Sequence, residues 1–206
     1  MNTKETTIDA VVFDWGGVLI EDPAPGLMAY CADYLGVSVA AYAPVHNRYG
    51  LAFQEGTLQE PEFWQCVCRD VDADMPDLPS LWTQAFTSVY RLRATILEWA
   101  ATLQSRGVKT ALLSNTEPPL QVFFAQQKYT QFDVQVFSCA EGLMKPESEI
   151  YRRTIERLGV PAHKVVFFDD RPEFVQGAEA VGIHGRVFAS LDRAAAELRT
   201  LGIFVL

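Results

Sequence analysis

The chain has 206 residues, 49% of them hydrophobic, and a formal net charge of −9. That length suits one large domain or a core carrying an insertion, and that hydrophobic content excludes a disordered chain. The acidic balance argues against a nucleic-acid binder, which needs a basic face, but leaves room for an anionic ligand held by a few local cations.

Met1 to Ile8 is polar and lacks the apolar run of a secretory signal. No apolar stretch approaches the length of a membrane span, so no membrane partner is expected. Cys31, Cys66, Cys68 and Cys139 show no disulfide-framework spacing, and Cys66 and Cys68 fall on different sides of a helix. Reduced thiols and a cytoplasmic location are the expectation.

The first predicted strand is Ala10 to Phe13, an apolar, β-rich run suited to burial on both faces. It ends on Asp14, followed by Gly16 and Gly17, which allow close backbone approach to a ligand. A loop, Pro23-Ala-Pro-Gly, comes next. From there to about Arg93 the pattern is helical. Leu27 to Leu35 forms one helix, stopped by Gly36, and Ser38 to Tyr49 a second, bent near Pro44. Phe53 to Leu58 reads as a turn, Pro61 to Val71 as a third helix and Leu81 to Tyr90 as a fourth. These residues predict a small helical module inserted after the first strand.

Arg93 to Arg106 reads as a helix that Gly107 ends. Strands are predicted at Val108–Leu113, Val134–Phe137, Lys164–Phe168 and Arg186–Ala189. Helices at Pro119–Gln127, Glu147–Leu158, Pro172–Val181 and Leu191–Leu201 alternate with them. Alternation of this kind gives an α/β fold: a doubly wound, Rossmann-like parallel sheet of about five strands, with the helical module as an inserted cap. The division expected is a core of residues 1–21 and 93–206 and a cap of residues 22–92.

In such a sheet, ligands bind beyond the carboxyl ends of the strands. Four sets of reactive side chains fall there: Asp14, then Ser114 and Asn115, then Lys145, then Asp169 and Asp170. A carboxylate can attack phosphorus or carbon and form a covalent intermediate. Asp14, Asp169 and Asp170 make a hard oxygen site suited to Mg²⁺, which would offset repulsion between an anionic nucleophile and a phosphate. Lys145 adds a compact positive charge, and Ser114 a hydroxyl for a phosphate oxygen, aided by backbone N–H groups of its loop.

Four segments resemble motifs of the haloacid dehalogenase-like hydrolase superfamily: Phe13-Asp-Trp-Gly-Gly-Val-Leu, Leu112-Leu-Ser-Asn-Thr, Gly142-Leu-Met-Lys-Pro-Glu-Ser-Glu-Ile-Tyr and Val166-Phe-Phe-Asp-Asp-Arg-Pro-Glu. The resemblance covers nearly the whole chain and implies a helical cap that selects substrates. It implies Asp14 as nucleophile, Ser114 and Lys145 as supports of phosphate and nucleophile, and Asp169 and Asp170 as metal ligands; Ser114, Asn115 and Lys145 are the expected substrate-binding residues. It also implies that Gly16 offers its backbone carbonyl to Mg²⁺. Two positions depart from the pattern. Phosphatases of the family usually carry an acid/base Asp two residues after the nucleophile, where this chain has Gly16. General acid–base help of that kind contributes about 10²–10⁴-fold, so substrates with good leaving groups, such as sugar 1-phosphates, would suffer least. Many relatives carry Asn or Asp where this chain has Phe174, which cannot hydrogen-bond.

The leading expectation is a Mg²⁺-dependent phosphatase of a small phosphorylated metabolite, working through an aspartyl-phosphate on Asp14. A catalytically weak or inactive relative that binds a phosphorylated ligand is an alternative, motivated by Gly16 and Phe174. A 2-haloacid dehalogenase is another, opposed by the paired Asp169 and Asp170. Tyr42, His46, Arg48, Trp64 and Trp82 are candidates for substrate selection, and His46, His163 and His184 have no metal-like spacing. Glu117, three residues after Ser114, reads as a solvated loop carboxylate rather than a replacement acid.

Overall fold

A computed structural model describes residues 8–203. The polar N-terminal stretch read as lacking a signal lies, apart from Ile8, outside the described residues, as do the last residues of the expected core. No helix among the described residues is long and apolar enough to cross a membrane.

The sheet has five parallel strands: β1 (Ala10–Phe13), β2 (Lys109–Ser114), β3 (Val134–Phe137), β4 (Val165–Asp169) and β5 (His184–Val187). Their order across the sheet is β3-β2-β1-β4-β5, with β1 at the centre. All four residues of β1 are buried. Val11 and Phe13 pack on one face with Leu112, Val166 and Phe168. Ala10 and Val12 pack on the other with Ala111, Leu113 and Phe167. The two-residue alternation of a strand therefore feeds two apolar layers, and helices cover both. On the first face lie α5 (Ala94–Ser105), α6 (Pro118–Gln127) and α10 (Leu191–Thr200). On the second lie α8 (Ser148–Leu158) and α9 (Pro172–Glu179). This is the doubly wound arrangement.

Register fixes what meets at the strand ends. Phe13 pairs with Phe168, and the Asp14 N–H donates to the Phe168 carbonyl at 2.9 Å. Asp14 and Asp169 consequently emerge side by side, where the winding of the sheet changes direction. β2 and β4 each run one residue further than expected, so Ser114 and Asp169 are held by strand backbone. β5 begins at His184, two residues earlier than expected. The apolar run Val187-Phe188-Ala189 drew the expectation downstream, yet Gly185 is the residue that lets the strand press onto α9. A Cβ there would lie 2.7 Å from Val175 Cγ1.

Between β1 and α5 stand α1 (Ala24–Tyr34), α2 (Val39–Gln54), α3 (Glu60–Val71) and α4 (Leu81–Val89). The Ser38 hydroxyl caps α2 by accepting from the Ala41 N–H at 3.2 Å. α2 does not stop near Tyr49 but continues to Gln54 with Pro44 inside it. Proline removes one backbone bond. The buried face of Tyr42, His46, Gly50 and Phe53 outweighs that loss. Phe53, expected in a turn, is fully buried and stacks on Phe63 at 4.6 Å. The extra turn of helix carries Gln54 to the site described below. Trp15 joins these helices to the sheet, with ring centroids 5.2 Å from Phe86 and 5.1 Å from Phe124. One apolar cluster runs from Phe13 through Trp15 to Trp82. A further short helix, α7 (Ser138–Glu141), follows β3 and was not expected.

Candidate active site

The loop after β1 is shaped by Arg93, whose Nη1 donates to the carbonyls of Gly17, Val18 at 3.1 Å and Ile20 at 3.0 Å. One cation thus gathers three carbonyls of the loop, and Asp14, just before it, lines a pocket of about 470 Å³. Gly17 has a positive φ of 77°, and a Cβ there would lie 2.2 Å from the Asp170 carboxylate. Glycine is required at 17 by both conformation and space. Gly16 is different. A Cβ there would make only an ordinary 3.6 Å contact with Pro23.

Lys145 is 2% exposed and sits between two carboxylates. Its Nζ lies 2.8 Å from Asp14 Oδ1 and 2.6 Å from Asp169 Oδ2. Burial opposes the lysine charge, but Asp14 and Asp169 outweigh it and hold Lys145 above the usual lysine value. Burial pushes Asp14 up to about 7, with Asp169 adding to the rise and Lys145 opposing it. Burial and then Asp169 likewise raise Asp170. Three carboxylates lie together and one lysine pairs with two of them, so negative groups outnumber positive ones in the cluster. Asp14, Asp169 and Asp170 each place an oxygen within 4.8 Å of the others. Hard oxygen donors in electrostatic excess fit a divalent cation such as Mg²⁺. Asp169 accepts from Lys145 through Oδ2 and from the Arg171 N–H through Oδ1 at 2.9 Å. It is therefore anchored on both oxygens.

Asn115 is more specialised than its place in the sequence suggests. Its Oδ1 accepts from the Lys145 N–H at 2.8 Å, and its Nδ2 donates to the Lys145 carbonyl at 3.0 Å. Both ends of the amide are committed to the lysine backbone, so the side chain positions Lys145. Ser114 lines the pocket, and its Oγ lies 2.7 Å from Thr116 Oγ1. The Thr116 N–H is taken by Ser138 Oγ at 2.8 Å. That N–H of the loop is not free for a phosphate. Phe174 supports the lysine without a hydrogen bond: Lys145 Nζ lies 4.9 Å, and the Arg171 guanidinium 4.4 Å, from its ring centroid.

The selection candidates separate. His46 and Trp82 line the pocket. Tyr42 is fully buried and shares a 3.3 Å hydrogen bond with His46 Nδ1. Trp64 donates to Glu60 at 2.9 Å, and Arg48 pairs with Asp70 at 2.6 Å, away from the pocket. The reading of Glu117 as a solvated carboxylate is corrected: it is 5% exposed and lines the pocket. It was misread because the extension of α2 that covers it was not foreseen. Burial raises its pKa, partly offset by the Gln54 amide. Gln54 and Ser138 were missed because they lie outside the four motif segments, and Thr116 and Arg171, inside two of them, because they act through backbone N–H groups that sequence does not display.

Fold and site together define an α/β protein with a lysine-bridged carboxylate cluster at the strand ends. The model of haloacid dehalogenase-like hydrolases matches residues 8–182, and the chain belongs to that family. It is 25% identical over 199 residues to a sesquiterpene phosphatase of Aspergillus oryzae, covering 95% of this chain and 97% of that protein. It is 26% identical over 208 residues to acyl-CoA dehydrogenase family member 10 of Mus musculus, covering 93% of this chain but 19% of that protein. A family enzyme of Bacteroides thetaiotaomicron, solved with magnesium and inorganic phosphate, superposes with a TM-score of 0.72 at 18% identity, covering 89% of this chain and 96% of that one.

Proposed function

We propose that the chain is a Mg²⁺-dependent phosphatase of a small phosphomonoester, with residues 22–92 as its cap over a core of residues 1–21 and 93–206. The observation that carries this reading is the buried Lys145 bridging Asp14 and Asp169, with Asp170 completing a three-carboxylate cluster. In this reading, an Asp14 oxygen bonds to phosphorus while the ester P–O bond breaks. Water then cleaves the aspartyl-phosphate and releases inorganic phosphate. Lys145 holds Asp14 in line and neutralises charge on the phosphoryl group. The Ser114 hydroxyl donates to a phosphoryl oxygen. Mg²⁺, held by Asp14, Asp169, Asp170 and the Gly16 carbonyl, would supply Lewis-acid stabilisation of the transferring phosphoryl group. With glycine at 16, the departing oxygen takes its proton from water, which favours good leaving groups such as sugar 1-phosphates.

The relative named as a sesquiterpene phosphatase and the neighbour holding magnesium and phosphate support this reading. The four unpaired thiols fit a reducing, cytoplasmic setting. Phosphate release from a panel of phosphomonoesters, with Mg²⁺ and with a chelator, tests it. Release that depends on the cation and disappears in Asp14→Asn is expected. Chloride release from a 2-haloacid, insensitive to chelator, would instead establish a dehalogenase. Gly16 favours one second reading, a weak catalyst that retains a phosphorylated ligand. It would show Mg²⁺-dependent phosphate binding without turnover.

A further inference from the structure

The helical side of the pocket holds polar groups that phosphoryl transfer does not use. Gln54, the last residue of α2, donates from Nε2 to Glu117 Oε1 at 3.0 Å. Its carbonyl accepts from Ser138 Oγ at 2.6 Å, and that oxygen in turn accepts the Thr116 N–H. The Gln54 backbone is thus tied to the core, and its side chain to Glu117. His46 stacks on Trp82 with ring centroids 5.4 Å apart, and both line the pocket. The Trp82 indole N–H has no hydrogen-bond partner. It lies close enough to Glu117 to favour its charged form, without the geometry of a hydrogen bond. Leu27, Met28, Phe86 and Leu120 make this side otherwise apolar.

Charge is also one-sided. Among the described residues, the lysine and arginine lining the pocket are Lys145 and Arg171. Lys145 is held between Asp14 and Asp169, and Arg171 Nε pairs with Glu173 at 2.8 Å. A second anionic group on a substrate would meet Glu117 with no cation to offset it. A hydroxyl would fit: it can donate to the carboxylate and accept from an unpartnered indole N–H. A purely apolar group would leave the buried indole N–H unpartnered and Glu117 with only its Gln54 bond, which is the arrangement by which a polar site rejects an analogue lacking the hydroxyl.

We propose that Glu117 and Gln54 are the specificity-determining pair for the leaving group. They select an uncharged alcohol whose apolar body lies against Leu27, Met28 and Phe86 and which carries a second hydroxyl for the Glu117–Gln54 pair. The inference rests on the phosphatase reading and narrows it. The test compares kcat/KM, with Mg²⁺ present, for para-hydroxyethylphenyl, para-propylphenyl and para-carboxymethylphenyl phosphate, whose leaving groups are of similar acidity. The hydroxyl ester is expected to exceed the propyl ester by about tenfold or more, and the carboxylate ester to be slowest. Glu117→Leu should collapse the hydroxyl-to-propyl ratio toward one, and Glu117→Gln should restore the carboxylate ester relative to the other two. Gln54→Leu reads the same ratio should Glu117→Leu fold poorly. Equal kcat/KM for the three esters, or a loss in Glu117→Leu shared equally by all three, would overturn the inference alone. No phosphate release from any ester would overturn the phosphatase reading and the inference with it.

Discussion

The two sides of the pocket are built on opposite electrostatic plans. At the carboxyl ends of the central strands of a five-stranded sheet, three carboxylates cluster, two of them paired with Lys145. On the helical side, one buried carboxylate bonds an amide and shares the pocket with an indole and an imidazole, with no lysine or arginine paired to it among the described residues. The first side concentrates charge that a metal and a phosphate can neutralise. The second holds a single carboxylate bonded to an amide, which in the proposed reading discriminates among leaving groups. In the proposed reading, reactivity belongs to the strand ends, whose register cannot slip without turning every side chain over, and selection to the helical side.

The sharpest way to break the contrast is to remove one charge from the strand-end side. Asp14→Asn should lower turnover by about 10⁴-fold or more while retaining the fold, since amide and carboxylate are nearly isosteric. Steady-state phosphate release and a thermal melt read both effects. Lys145→Met comes next. It leaves Asp14 and Asp169 buried together without their counter-charge and should cost about 3–5 kcal/mol in denaturant unfolding. Added Mg²⁺ should recover part of that loss, because a cation bound only by the folded cluster stabilises the fold.

A pH titration sharpens the other half. Burial lowers the His46 pKa from 6.5 to about 4. A depressed histidine stabilises the fold fully above its unfolded value, and that contribution fades as pH falls through the folded value. Between about pH 6.5 and 4 the native chain should lose roughly 3 kcal/mol from this group. His46→Phe should lack that component, so the stability difference between variant and native chain should move in the variant's favour across the window. The smallest effect concerns Gly16. Its Cβ position is open enough for a side chain. Gly16→Asp should raise turnover of esters with poor leaving groups by about 10²-fold and change good leaving groups little. A plot of log kcat against leaving-group acidity would show the flatter slope.

The same contrast explains what could be read in advance. Asp14, Lys145, Asp169 and Asp170 lie in contiguous apolar-strand and loop motifs, so their meeting follows from topology. Parallel strands ending at one level bring them together however far apart they are in the chain. Gly17 was legible as a close-approach residue, though not that the neighbour would be Asp170. The helical side resisted reading because its residues converge through packing. Gln54 reaches Glu117 only because burial of Phe53 carries α2 past Tyr49, where the helix was expected to end, up to the turn that Gly56 and Thr57 mark. Glu117 then loses its solvent, although nothing next to it in sequence announces that. Asn115 shows a third case: the motif located it, but its partners assign its side chain to Lys145.

The central claim is that Asp14 is phosphorylated during turnover. Acid-quenched reactions with a phosphomonoester and Mg²⁺, digested and analysed by mass spectrometry, test it most directly. A phosphoryl group on the peptide containing Asp14, present in the native chain and absent in Asp14→Asn, is the expected result. Undiminished turnover by Asp14→Asn, or brisk native turnover with no phosphorylated Asp14 at any quench time, would contradict it.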